Sequence, residues 1–268
     1  MNHYTLAAKN LAAGYDSRTI FSDISVTIPQ NKISVIIGAN GCGKSTLLKT
    51  FSRLLKPQGG EILLNGDLLS SLPSRKAAQI MGLLPQSPTV PEGIKVTDLV
   101  ARGRFPYRRP LAGMREEDFH AVEEAMEIMG ITDLADCSVD ELSGGQRQRV
   151  WIALALAQQT DILFLDEPTT YLDISYQVEI LDLLTDLNRK RKTTIIMVLH
   201  DINLSARYAD YLFAMEKGRL LAQGTPKEIL TPELMKKVYG IDCIVIDDPV
   251  SHTPFIIPKG RYYSAGTS

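Results

Sequence analysis

Apolar residues recur along this chain in three rhythms, and each rhythm predicts a different kind of element. Ile162 to Leu165 and Ile195 to Leu199 are short unbroken apolar runs, and Ile33 to Ile37 is one interrupted only by Ser34. Such runs mark strands covered on both faces, as in a parallel sheet. Thr5-Leu6-Ala7 and Ile24 to Ile28 alternate instead, which suits an antiparallel edge sheet with one solvated face. Ile62-Leu63-Leu64 running into Asn65-Gly66-Asp67 adds a hairpin. From Ser87 to about Thr160 the period lengthens to that of helices, with Glu116 to Met129 amphipathic and a loop from Gly103 to Met114 rich in Pro, Gly and Arg. Strand-helix alternation resumes at Asp161. Thr225-Pro226 and Thr231-Pro232 place a cap before a proline, a helix-start signal. Thr253 to Pro258 reads as extended, and Arg261 to Ser268 as a frayed tail.

These rhythms divide one α/β domain over residues 1–268 into three parts. Residues 1–86 and 161–240 form a core with a mostly parallel sheet and an antiparallel β subdomain. Residues 87–160 form an inserted helical subdomain, and 241–268 a short C-terminal extension.

Between the run ending at Ile37 and the helical run from Thr46 to Phe51 stands Gly38-Ala39-Asn40-Gly41-Cys42-Gly43-Lys44-Ser45. It fits the phosphate-binding pattern G-x-x-x-x-G-K-[ST], placed as that pattern requires between a strand and a helix. Gly38, Gly41 and Gly43 let the backbone curl so that its N–H groups face phosphates at a helix N-terminus. Lys44 is placed to reach the β- and γ-phosphates and Ser45 to ligate Mg²⁺. At the carboxyl end of the run Ile162 to Leu165 come Asp166 and Glu167, where open α/β sheets bind ligands. Asp166 is expected to hold Mg²⁺ through water, and Glu167 to orient or deprotonate an attacking water. A second glycine motif, Leu142-Ser143-Gly144-Gly145-Gln146, is foreign to most P-loop enzymes.

On these motifs the chain resembles the ATP-binding subunits of ABC transporters, whose signature is Leu-Ser-Gly-Gly-Gln. The resemblance runs over nearly the whole chain. Smaller family motifs fall in order at Tyr15, Gln86, Leu172-Asp173 and His200. The resemblance implies that ATP, with Mg²⁺, is held by Tyr15, Gly38, Asn40, Gly41, Cys42, Gly43, Lys44, Ser45 and Thr46. It also implies a ring of Tyr15 stacked on adenine, Gln86 in the Mg²⁺ and water network, and His200 on the γ-phosphate. Ser143, Gly144, Gly145, Gln146 and Asp173 are then expected to meet the ATP held by a second copy, so that the active site is composite. Ser143 is a natural N-cap for a helix over Gln146 to Gln158. Two departures stand out: Cys42 inside the P-loop, and Thr170-Tyr171 before Leu172-Asp173.

Composition narrows this reading. At 268 residues, 44% hydrophobic and formal net charge −2, the chain is no basic nucleic-acid binder. Arg189 to Lys192 reads as the solvated C-terminal end of a helix. Cys42, Cys137 and Cys243 show no metal spacing. The N-terminus lacks a signal-peptide pattern, and no apolar run is long enough to span a bilayer. The resemblance then implies as partners a second copy in a head-to-tail dimer, separate transmembrane permease subunits and, indirectly, a substrate-binding protein, at the cytoplasmic face of the membrane. Little chain follows Tyr239, so no separate regulatory domain is expected there. The segment Ala101 to Tyr107 and the stretch Asp166 to Ser175 resemble the ATPases of ferric-siderophore, haem and vitamin B12 importers, the first most closely. Arg102, Arg104, Phe105 and Tyr107 are read as the surface that meets the permease. Chromosome-organising relatives separate the two glycine motifs by long heptad segments, and translation ATPases carry a second P-loop. This chain has neither feature.

Overall fold

The computed structural model describes residues 4–86, 91–108, 113–170 and 172–260. Strands β1 (Leu6–Tyr15) and β2 (Arg18–Ile28) form a hairpin, and β3 (Ile33–Gly38) runs into helix α1 (Lys44–Phe51). β4 (Gly59–Leu64), β5 (Asp67–Leu68), α2 (Ser74–Ile80) and β6 (Met81–Leu84) follow. Helices α3 (Val96–Ala101), α4 (Glu116–Ile128) and α5 (Gly144–Ala157) make the inserted helical part. The core resumes with β7 (Ile162–Asp166), α6 (Ile174–Arg191), β8 (Thr194–Val198), α7 (Ile202–Tyr208), β9 (Tyr211–Glu216) and β10 (Arg219–Gly224). Helices α8 (Pro226–Ile229) and α9 (Pro232–Tyr239) and a hairpin of β11 (Cys243–Asp247) and β12 (Pro254–Pro258) complete it.

The central sheet has the order β10-β9-β3-β8-β7-β6, parallel except for the β9–β10 pair. A second, antiparallel sheet has the order β2-β1-β4-β5. Side chains alternate across a strand, so every unbroken apolar run feeds two cores at once. Val35, Ile37, Leu163, Leu165, Ile195 and Met197 face the helical part and α6. Ile36, Phe164, Ile196, Val198 and Phe213 face the other way, against α1 and the antiparallel sheet. That double burial is why these runs are apolar but for Ser34, which is itself buried.

The strand order also makes the site. β3 lies between β9 and β8, and the carboxyl ends of β3, β8, β7 and β6 meet at one edge of the sheet. The P-loop, His200, Asp166-Glu167 and Gln86 follow those four ends. Residues 160 positions apart thereby come together at a sheet edge, the usual ligand position of open α/β folds.

One expectation for the helical part is corrected. Arg104 is no surface group: it is buried, and its Nε lies 2.9 Å from Asp118 Oδ1 while Nη1 donates to Ala157 O at 2.8 Å. Burial alone would raise the Asp118 carboxyl, but the Arg115 backbone N–H and the Arg104 guanidinium outweigh it and hold it below its ordinary value. Tyr107 is likewise structural, donating to Gln158 O at 2.9 Å with the Arg104 guanidinium 4.0 Å above its ring. Of the four residues read as surface, Phe105 alone stays well exposed, Arg102 being half-buried. The proline-led starts of α8 and α9 form as expected, with capping by Thr225 and Thr231.

Candidate active site

Gly43, in the left-handed region at φ 107°, serves as the N-cap of α1 and offers no side-chain cap. The first-turn amides of α1 are therefore left open, as an anion site at a helix N-terminus needs. Lys44 Nζ folds back over the loop, donating to Gly38 O at 2.8 Å and Ala39 O at 3.1 Å. A cavity of about 600 Å³ opens above this cradle, lined by Asn40, Gly41, Gly43, Lys44, Ser45, Thr46, Gln86, Glu167 and His200, among others. Gly38 and Cys42 lie beneath it. The Gly38 N–H is already taken by Tyr239 Oη at 3.0 Å, so Gly38 shapes the loop and does not offer that donor to phosphate.

Ser45 Oγ donates to Asp166 Oδ1 at 2.7 Å. The other carboxylate oxygen, Asp166 Oδ2, is buried without a hydrogen bond, with Lys49 Nζ 3.9 Å away. Burial raises the Asp166 carboxyl above its ordinary value, the Ser45 hydroxyl and Lys49 offsetting only part of this. Such an orphaned oxygen beside a serine hydroxyl is a half-built cation site. Among the described residues no cluster of His, Cys, Asp and Glu forms an all-protein metal cage, so any Mg²⁺ must take further oxygens from phosphate and water.

Glu167 sits at φ 56°, a conformation unusual for a residue with a side chain and found at functional sites. His200 Nε2 lies 2.7 Å from Glu167 Oε1, while Gln86 Nε2 and Thr170 Oγ1 donate to Oε2 at 2.6 and 3.0 Å. Burial pushes this carboxyl up, but the bonds from His200, Thr170 and Gln86 outweigh it and leave its pKa lowered. Glu167 is thus a carboxylate held by three donors at the wall of the cavity. The two neighbouring carboxylates are thus displaced in opposite directions, Asp166 upward and Glu167 downward.

The second glycine motif stands elsewhere on the chain. Ser143 caps α5: its Oγ accepts from Gln146 N–H at 3.3 Å, and Gln146 Oε1 accepts from Ser143 N–H at 3.0 Å. Gly144 is open, and a side chain at Gly145 would press on the Tyr176 ring at 3.3 Å. None of Ser143 to Gln146, nor Asp173 at the N-cap of α6, lines the P-loop cavity. Tyr15, at the end of β1, is 45% exposed with its ring free of the sheet core. Across the hairpin from it Arg18 is paired in register, and Arg18, Ile20 and Thr170 line the cavity although no motif marked them. Arg18 was legible only as the cross-strand neighbour of Tyr15. Cys42 is buried, and burial pushes its thiol up despite the nearby Lys44 charge. It packs the loop as a small apolar group.

With this geometry in hand, comparison with known proteins is decisive: the model of the "ABC transporter" family matches residues 21–170, more than half of the chain. The chain belongs to the ABC transporter family. It is 50% identical to the "Ferric enterobactin transport ATP-binding protein FepC" of Escherichia coli (strain K12), over 96% of this chain and 94% of that one. It is 49% identical to the "Probable siderophore transport system ATP-binding protein YusV" of Bacillus subtilis (strain 168), over 97% and 95% of the two chains. Among solved structures it resembles the dimeric form of MJ0796, a bacterial ABC transporter cassette, at TM-score 0.72 and 27% identity, covering 82% of this chain and 98% of that one. The chain is accordingly an ABC ATPase subunit that binds ATP. Among the described residues no helix is long and apolar enough to cross a membrane.

Proposed function

We propose that this chain is the motor of an ABC importer for ferric siderophores, working as a head-to-tail dimer on separate membrane subunits at the cytoplasmic face. The observation that carries the hydrolytic part is Glu167, ionised, braced by His200, Gln86 and Thr170, and facing the P-loop cavity. The transported class rests on relatives at about half identity over nearly full length that are named for siderophore transport.

Ser45 Oγ and Asp166 fit Mg²⁺, with Gln86 within its network; held there, the ion would supply positive charge to offset that of the β- and γ-phosphates. Lys44 leaves Gly38 O and Ala39 O to meet the same phosphates. Glu167 accepts the proton of the attacking water as it closes on the γ-phosphorus. His200 now bonds Glu167, so a contact from its ring to the γ-phosphate requires that pair to open. Tyr15 stacks on adenine. Closure brings Ser143, Gly144 and Gly145 of one copy onto the nucleotide of the other, with Asp173 at the seam, and the dimeric relative supports that arrangement.

For permease contact the corrected surface centres on Phe105, 59% exposed, with the Arg108 guanidinium 5.6 Å from its ring. Arg75 Nε and Gln79 Nε2 fix the segment by donating to Pro106 O at 2.7 and 2.8 Å. A rigidly held exposed aromatic is a fitting anchor for another protein. A substrate-binding protein acts on the far side of the permease. The test is uptake in cells with and without this chain, supplied with iron-loaded siderophore, haem or vitamin B12. Siderophore uptake lost with the chain and restored by it is expected; dependence of haem or vitamin B12 uptake alone overturns the assignment.

A further inference from the structure

The described chain does not end at the catalytic core, and its last helix reaches back into the site. Tyr239 is the final residue of α9, which Gly240 closes in the left-handed conformation at φ 70°. Its hydroxyl oxygen accepts the Gly38 N–H at 3.0 Å. β3 stays paired with β9 as far as Gly38 and Met215, but its pairing with β8 has stopped at Ile36 and Val198, and past the end of that β8 ladder the buried Gly38 N–H takes the Tyr239 oxygen as its partner. A buried donor without a partner is costly, and the backbone shifts to find one. On its other side Gly38 offers its carbonyl to Lys44 Nζ at 2.8 Å. A side chain at Gly38 would stand 2.4 Å from Met215 O and 2.7 Å from Cys42 Sγ, so the residue is also wedged against β9. Burial pushes the Tyr239 hydroxyl up to about 12 despite the Gly38 N–H, and the phenol stays neutral and free to accept.

We propose that Tyr239 is a positioning residue for ATP binding: through Gly38 it fixes the point from which the phosphate cradle springs and on which Lys44 rests. This rests on the reading that the P-loop takes ATP. The C-terminal unit of α9 and the β11–β12 hairpin, which packs on it, thereby belongs to the nucleotide site although it lines no part of the cavity.

Tyr239→Phe keeps the ring and removes one oxygen. Expected is a rise in KM for ATP of roughly three- to tenfold with kcat within about twofold of wild type, the pattern of weakened uniform binding. ATP titration in a Glu167→Gln background should weaken by the same factor, and amide exchange at Gly38 should quicken. Tyr107→Phe is the control, because it removes a half-buried hydroxyl bond remote from the cradle. Unchanged KM and unchanged ATP affinity in Tyr239→Phe overturn the proposal, as does an equal shift in Tyr107→Phe. If the Phe variant is too unstable for kinetics, Gly38 amide exchange at low temperature decides: exchange no faster than wild type overturns it. Lys44→Ala in the same titration separates the two readings. Loss of binding there with none in Tyr239→Phe overturns only the role of Tyr239, whereas full binding by Lys44→Ala overturns the site itself.

Discussion

Gly38 to Ser45 and Ser143 to Gln146 each lead into the first turn of a helix, yet only the first lines the cavity that Gln86, Glu167 and His200 also line. Around the P-loop stand Lys44, Asp166, Glu167 and His200, and its helix begins at a glycine that caps nothing. Around the signature the cap is closed, Ser143 and Gln146 satisfying each other, and only the amides of Gly144 and Gly145 remain. On the proposed function, the same helix-terminus device serves one motif as a reaction chamber and the other as a lid. A chain holding both, facing different ways, has the chemistry of a complete site and the geometry of two halves. In the proposed dimer, hydrolysis is thereby conditional on the two copies closing.

The comparison breaks first at Glu167. Glu167→Gln keeps the hydrogen-bonding shape but removes the proton acceptor, so turnover should fall by roughly 100-fold or more while ATP still binds. A long-lived ATP-bound dimer should accumulate on gel filtration; near-normal steady-state hydrolysis would show that the base lies elsewhere. Lys44→Ala comes next. It strips the cradle of its cation and should weaken ATP binding itself, by about tenfold or more in a nucleotide titration. Gly144→Asp sharpens the contrast from the other half. Nothing lies within 4 Å of a side chain there, so the fold should tolerate it, but the added charge opposes a phosphate. In a Glu167→Gln background, Gly144→Asp should bind ATP as a monomer and form no dimer. A dimer formed as readily as without it would remove the signature from the interface.

How much of this was legible in the sequence depended on distance along the chain. The buried strands announced themselves because burial on both faces leaves an unbroken apolar run, and the P-loop because its glycines, lysine and serine are contiguous. Ser143 and Gln146 were legible as a capping box for the same local reason. What the sequence hid was long-range pairing of polar groups. Arg104, in a loop rich in arginine and proline, read as surface; its partner Asp118 is 14 residues away, inside a helix whose other acids are exposed. Tyr239 and Gly38 are 201 residues apart and share no period or motif. The β11–β12 hairpin was half visible, since Thr253 to Pro258 read as extended while Cys243–Asp247 gave no sign of being its partner.

The smallest effect separates the two carboxylates on β7. Asp166 is raised by burial, so the folded protein holds its proton more tightly than the unfolded chain does. Without a cation, stability is therefore lost as pH rises from the ordinary aspartate value through the raised folded value, and stays low above it. Glu167, lowered once His200, Thr170 and Gln86 outweigh burial, has the opposite sign: its contribution is present above the ordinary glutamate value and lost as pH falls through the depressed one. Asp166→Asn keeps an acceptor for Ser45 and removes the buried charge. At neutral pH without nucleotide or Mg²⁺ it should melt higher, by roughly 2–4 °C for each kcal/mol of relief in a chain of this size. Its hydrolysis should nonetheless collapse, because Ser45 is left alone to hold the cation. Glu167→Gln under the same conditions should melt no higher than wild type. A lower melting temperature for Asp166→Asn in calorimetry would mean that the orphaned Oδ2 is stabilising as it stands, and that the half-built cation site is not under tension.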